Sequence, residues 1–354
     1  MSTHSISASQ RVEDLALLRK APPPKPAPRL WCVTLLLLLF GLSGCSGSPS
    51  ILTPASRDAA QIADLFWGVL AIAAGIFVVT EALLIIALVR FRSRPGVREP
   101  VQVHGNQPLE IAWTLVPAII LAGVFVATAS TMSAVTQPQP GALRVQVLGH
   151  RWWWEARYPG QGITTATDIH VPVGQAVEVE LAGADVIHSF WPPELAGKTD
   201  VIPGHTNWVR FTADRPGSYL GFCAEFCGAQ HANMRFLVVA ETREQFDDWV
   251  RRAQAQAALP TTGQAARGAQ AFLSGTCVAC HTLQGTAAQG KVGPDLTHFG
   301  SRRSIAALTL DNTPENLATW LAKPQAVKPD NLMRIPALSG ETIQDLVAFL
   351  ESLK

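Results

Sequence analysis

Two apolar runs, at about 62–90 and 111–131, are too long and too uninterrupted to serve as core elements of a soluble domain. Each has about the 20 residues a helix needs to cross roughly 30 Å of hydrocarbon. Arg90, Arg92, Arg94 and Arg98 crowd the loop between them, and the positive-inside bias keeps such a loop in the cytoplasm. Everything after Thr131 then lies outside. Hydrophobic residues at 48% against 16% charged fit a chain that is partly membrane-embedded, and a net charge of +1 gives no footprint for nucleic acid. Glu81 sits well inside the first run, where a carboxylate is tolerable only against protein or water, and packing against a partner subunit accounts for it.

The N-terminus supports the same topology. Arg11, Arg19, Lys20, Lys25 and Arg29 precede "LWCVTLLLLLFGL", which is too short to span comfortably and reads as the core of a signal peptide covering 1–44. The "LSGC" that follows resembles the lipobox of bacterial lipoprotein precursors, which makes Cys45 the first mature residue and a site of lipidation; the alternative is an uncleaved segment. The expected location is a bacterial inner membrane, crossed twice, with the bulk of the chain on the periplasmic side.

From 141 to 245 the pattern changes to short alternating stretches such as "LRVQVLG", "AVEVELAG", "NWVRFTA" and "MRFLVVA", separated by Gly and Pro. Period-two alternation with frequent turn residues predicts an antiparallel β-sandwich or barrel. Between its last two strands lies "GFCAEFCGAQHANM", at 221–234, which supplies Cys223, Cys227, His231 and Met234, while His188 in "DVIHSF" can reach the same end. Thiolate, imidazole and thioether form a soft donor set suited to copper or zinc. A zinc tetrahedron takes four donors and seldom Met. A mononuclear blue-copper site leaves one cysteine over, whereas two coppers sharing both thiolates use the whole set.

The spacing of these ligands resembles the copper motif of cytochrome c oxidase subunit II, and the likeness extends over about 60–250 through "LEIAWTLVPAII", "GHRWWWEARYP" and "KTDVIPG". It implies a two-helix transmembrane hairpin followed by a cupredoxin-like β-sandwich with a binuclear copper centre. Each copper would take one of His188 and His231, both cysteines would bridge, Met234 would cap one copper and the backbone carbonyl of Glu225 the other. The resemblance further implies that Trp152 is an exposed indole receiving electrons, with Trp153 and Trp154 in supporting or core positions. Glu110 would be a proton-uptake group, and a magnesium shared with subunit I would lie near Glu225. Subunits I and III would be partners. The similar copper domain of nitrous oxide reductase is the nearest rival, and that soluble enzyme needs no membrane helices.

A linker is expected at 246–262, on the Ala, Gln and Gly composition that sets in after about Arg252, and a last unit covers 263–354. "CVACH" is the c-type haem attachment pattern, with thioether bonds at Cys277 and Cys280 and His281 as an iron ligand. Of the four methionines, Met1 is the initiator, Met132 ends a membrane helix and Met234 belongs to the copper set, leaving Met333 as the sixth ligand, with His298 as the alternative. Helical spacing in "TPENLATWLAK" and "SGETIQDLVAFLESL" predicts an all-α unit. With "GPDL" after the attachment site, it resembles a class I cytochrome c, in which the backbone of Pro294 would support His281.

Together these features predict a multidomain membrane protein of the fused, caa type: an oxidase subunit that accepts electrons from an external cytochrome or other donor. Electrons would pass through covalent haem c and copper to subunit I, where dioxygen is reduced to water with proton pumping. The alternative is a membrane-tethered carrier serving another reductase, such as a nitric oxide reductase. A copper-delivery protein would have no use for the haem.

Overall fold

The computed structural model describes residues 49–92, 96 and 101–354. The signal peptide, Cys45, Arg94 and Arg98 lie outside the described residues. Two helices come first, α1 (Arg57–Arg90) and α2 (Gln107–Thr136), both long and apolar enough to cross a membrane. At 34 and 30 residues they exceed the expected spans. The first begins before its apolar run, on Ser56, whose hydroxyl accepts from Ala59 N at 2.9 Å and donates to Leu195 O at 2.6 Å. A capping hydroxyl of this kind contributes about 1 kcal/mol. Here it also fastens the helix to the domain beyond.

That domain is a sandwich of two five-stranded sheets. One has the order β3 (Ile163–Ala166), β2 (Trp153–Tyr158), β1 (Leu143–His150), β5 (Val177–Gly183) and β8 (Asn207–Phe211). The other has β4 (Asp168–Pro172), β10 (Arg235–Glu241), β9 (Gly217–Cys223), β6 (His188–Trp191) and β7 (Thr199–Val201). The sheets are mixed rather than antiparallel throughout, because β1 runs parallel to β5 and β10 parallel to β4. The chain leaves the first sheet at Thr167, a corner with φ of 72°, and returns only at β5. A strand that comes back from the opposite sheet is not tied to a hairpin and can run either way.

The inward face of β1 alternates with its outer one as the sequence predicts, burying Leu143, Val145 and Val147. Phe190 and Phe236 stack between the sheets at 4.2 Å, and Trp154 meets both edge-on. Burying one such ring contributes about 2–3 kcal/mol. Both membrane helices meet β8, where Arg210 Nη1 donates to the last-turn carbonyl of Thr136 at 2.7 Å.

The stretch read as linker from 246 is partly a helix, α3 (Arg243–Ala253), started by a reciprocal capping box between Thr242 and Gln245. Phe246 is buried and Trp249 stacks on His170 at 4.4 Å, so α3 belongs to the sandwich. The connection proper is shorter, 254–262.

The last unit has its own core. Helix α4 (Gly263–Ser274) crosses α6 (Gly340–Ser352), with α5 (Pro314–Ala322) packed on α6. The crossing is tight because residue 268 is glycine: a Cβ there would lie 1.9 Å from Asp345 O. Arg267 beside it holds both oxygens of Asp345 at 2.9 and 2.7 Å.

Candidate metal centres

The end of β9 and the start of β6 lie side by side, with Phe190 opposite Cys223 in the register. The six-residue pattern from the sequence therefore closes on itself. Cys223 Sγ stands 3.7 Å from Cys227 Sγ; His188 Nδ1 is 3.9 Å from the first sulfur and His231 Nδ1 is 3.7 Å from the second. Met234 Sδ is 3.8 Å from Cys227 Sγ, and the carbonyl of Glu225 is 3.3 Å from Cys223 Sγ. The short turn His231–Asn233 brings His231 and Met234 back over the loop. His188, Cys223 and Cys227 offer ligand atoms within 4.8 Å of one another.

The surroundings prepare these groups for a cation. His188 Nε2 bonds Asp185 Oδ1 at 2.9 Å, which assigns its proton to Nε2 and leaves the Nδ1 lone pair facing the sulfurs. The hydrogen bond between the two thiols leaves the shared proton on Cys227, drawing Cys223 down and Cys227 up, and His188 lowers Cys223 further. His188 and Met234 are wholly buried, so no water competes for them. Gly149 allows the approach, because a Cβ there would lie 2.9 Å from His188 Cδ2. Asp185, three residues before His188, was not singled out in the sequence, although an acid at that spacing from a ligand histidine is a readable signal.

The three tryptophans have three environments. Trp154 is in the core and touches His188 edge-on at 5.9 Å. Trp153 stacks on His150 at 4.3 Å. Trp152 donates its indole N–H to Cys227 O at 2.9 Å, next to the copper loop, and is only 6% exposed, not the exposed indole expected. The indole packs within the sandwich core and against Gly228 of the same loop, while Lys328 of the last unit donates to the Trp152 carbonyl. Burial pushes the Lys328 ammonium down to about 7, yet three carbonyl acceptors around it match all three hydrogens of the charged form.

In the last unit Cys277 lies in a short turn before Cys280 and His281. His281 Nδ1 bonds Pro294 O at 2.8 Å, which directs Nε2 away as the free ligand atom. Burial lowers its tendency to take a proton, keeping it neutral as an iron ligand must be. Gly293 passes so close that a Cβ would lie 2.5 Å from His281 Cε1. Both ring nitrogens of His298 are buried with no protein partner, polar atoms left open to a bound group or an ordered water. Two thiols, a fixed neutral imidazole and these orphan nitrogens fit a haem. Met333 is held by Asn331 Oδ1, which accepts from its backbone N at 2.7 Å, and packs at the edge of the haem-domain core.

Glu110 lies apart from both centres, in the first turn of α2, where Oε1 accepts from Asn106 N at 3.1 Å. Glu225 has an exposed side chain, beside the 75% exposed Phe226.

Family models cover the chain in order. That of the cytochrome C oxidase subunit II transmembrane domain matches 50–131, that of its periplasmic domain 160–241, and that of cytochrome c 265–354. Cytochrome c oxidase subunit 2 of Alkalihalophilus pseudofirmus is 40% identical over 328 residues, covering 90% of this chain and 95% of the relative. The protein of that name from Bacillus subtilis is 33% identical over 352 residues, covering 92% and 98%. Among solved structures, the periplasmic domain of subunit II (CoxB) of Bradyrhizobium japonicum is 30% identical and covers 33% of this chain and 96% of that one, with a TM-score of 0.32.

Proposed function

The chain belongs to the cytochrome c oxidase subunit II family and is the electron-accepting subunit of a haem-copper oxidase, and we propose that it works with two coppers and one covalent haem c. It is a membrane protein with a copper domain and a cytochrome c domain, and it assembles with subunit I, where dioxygen is reduced to water with proton pumping. The one observation that carries the binuclear reading is the symmetry of the donors. Each sulfur has one imidazole Nδ1 near it, at 3.9 and 3.7 Å, and the sulfurs are 3.7 Å apart. A single tetrahedron would leave donors unused.

When bound, the haem and the copper pair supply one-electron carriers. The chain's own residues set how they are held. Cys277 and Cys280 would hold the haem covalently, His281, oriented by Pro294 O, would donate to the iron, and Met333 would be the second donor; a His/Met pair raises the haem potential and suits electron transfer. Cys223, Cys227, His188 and His231 would hold the coppers, with His188 oriented by Asp185, and Met234 and the Glu225 carbonyl would complete the donor set. Trp152, hydrogen-bonded to the copper loop, receives the electron.

The finer reading also includes a magnesium at the exposed Glu225 shared with subunit I, subunit III as a further partner, an external cytochrome as donor to the haem and lipidation at Cys45. It puts the copper and haem domains on the periplasmic side and makes Glu110 a proton-uptake group at the cytoplasmic end of α2. Elemental analysis of the purified chain tests the central claim, with two coppers and one iron expected. One zinc and no copper would overturn it. Mild-detergent purification should recover subunit I, and another reductase in its place would favour the tethered-carrier alternative.

A further inference from the structure

Lys328 follows the single turn Pro324–Val327 in the cytochrome domain and is 3% exposed. Its Nζ donates to the carbonyls of Trp152, Asn233 and Ala306, each at 2.8 Å. The first two belong to the copper domain and the third to its own. An ammonium has three hydrogens, and all three are used on main-chain oxygens that no side-chain motion can withdraw.

The contacts continue on both sides. Asn331 Nδ2 donates to Lys328 O at 2.6 Å, and Asn331 Oδ1 accepts from Met333 N at 2.7 Å. Across the boundary, Trp152 Nε1 donates to Cys227 O at 2.9 Å, and Asn233 directly precedes Met234. A chain of short hydrogen bonds thus links the Met333 loop to the copper loop with Lys328 at its centre. A second contact sits at the other end of β9, where Arg303 Nη1 donates to Ser218 Oγ. Ser218 and Cys223 are separated by about 17 Å at the strand rise of roughly 3.3 Å per residue. Two contacts that far apart restrict the tilt of one domain on the other as well as its distance.

We propose that Lys328 is a positioning residue that docks the Met333 loop of the cytochrome domain on Trp152, making the fused cytochrome the standing donor and closing Trp152 to soluble cytochromes. The docking rests on these contacts alone, and its kinetic consequence rests on the copper reading above.

The purified oxidase tests it without substitution. Lys328 should be acetylated by an amine-reactive ester at least tenfold more slowly than the exposed Lys198, Lys291, Lys323 and Lys354, read by mass spectrometry. Equal reactivity overturns the proposal. Lys328→Met keeps the apolar stem and removes the three donors. In that variant hydroxyl-radical labelling of Trp152 should rise severalfold. Haem-to-copper transfer should slow at least tenfold and become salt-dependent, and soluble cytochrome should begin to reduce the copper directly, with both absorption spectra retained. Unchanged labelling and rate overturn it. If the docking signals appear but copper is absent on analysis, the copper reading fails and the docking stands.

Discussion

The indole nitrogen of Trp152 donates to the carbonyl oxygen of Cys227 at 2.9 Å, so a side chain at the domain boundary bonds directly to the main chain of a copper-loop cysteine. Trp152→Phe keeps a ring in place and loses the bond, while Trp152→Ala loses both. Copper reduction, followed by stopped flow, should slow about tenfold in the first and more in the second, with copper content unchanged. The Lys328 bond should survive in both because it goes to the main-chain oxygen. Equal rates in the three proteins would reject the assignment of Trp152.

Cys223→Ser should leave one copper or none, abolish oxygen consumption and spare the haem spectrum. Met234→Leu should be milder, because an axial thioether tunes the potential more than it holds the metal. Metal content and the visible spectrum distinguish the two variants.

Asp185 reaches the metal only through His188, whose Nε2 it bonds at 2.9 Å. Asp185→Ala should weaken copper retention about 10- to 100-fold, the usual cost of losing a partner that orients a ligand histidine. A competition assay against a chelator reads this directly.

The cluster of His188, Cys223, Cys227, His231 and Met234 was legible because most of it falls within one short loop, and His188 could be added from the strand pattern. The haem attachment pattern at 277–281 is equally local, while Met333 was reached only by elimination and remains the proposed sixth ligand. The burial of Trp152 was not, since it depends on the loop at Cys227 and Gly228, some 75 residues away, lying against the indole, which leaves no local pattern. Helix α3 was absorbed into the linker because the Ala- and Gln-rich run begins right at its end, at Ala253, although Thr242 and Gln245 at capping-box spacing marked its start. The parallel pairing of β1 with β5 depends on the corner at Thr167, which strand alternation cannot register.

Glu110→Gln keeps the side chain's size and its bond to Asn106 N and removes only the charge. If Glu110 is a proton-uptake group, turnover and proton uptake should fall severalfold at unchanged copper and haem content. If it serves only the α2 N-terminus, where a negative charge is worth about 0.3–1 kcal/mol, both rates will match the unmodified oxidase.

Cutting the exposed connection within 259–262 should leave both cofactors in place. A tether supplies an effective concentration in the millimolar range. At micromolar oxidase the cut cytochrome should still occupy its docked position in part, so haem-to-copper transfer should fall on dilution and gain a dependence on salt. A rate independent of dilution would mean the connection serves assembly alone.

The fastening of Ser56 to Leu195 sets an order of events during synthesis. The two residues are 139 positions apart, and a ribosome adding about 5–20 residues per second needs roughly 7–28 s to go from one to the other. The first span is therefore committed to the bilayer well before its seat exists. It must wait there with only α2 beside it until the strands have been exported and folded, and only then can the hairpin and the sandwich lock together.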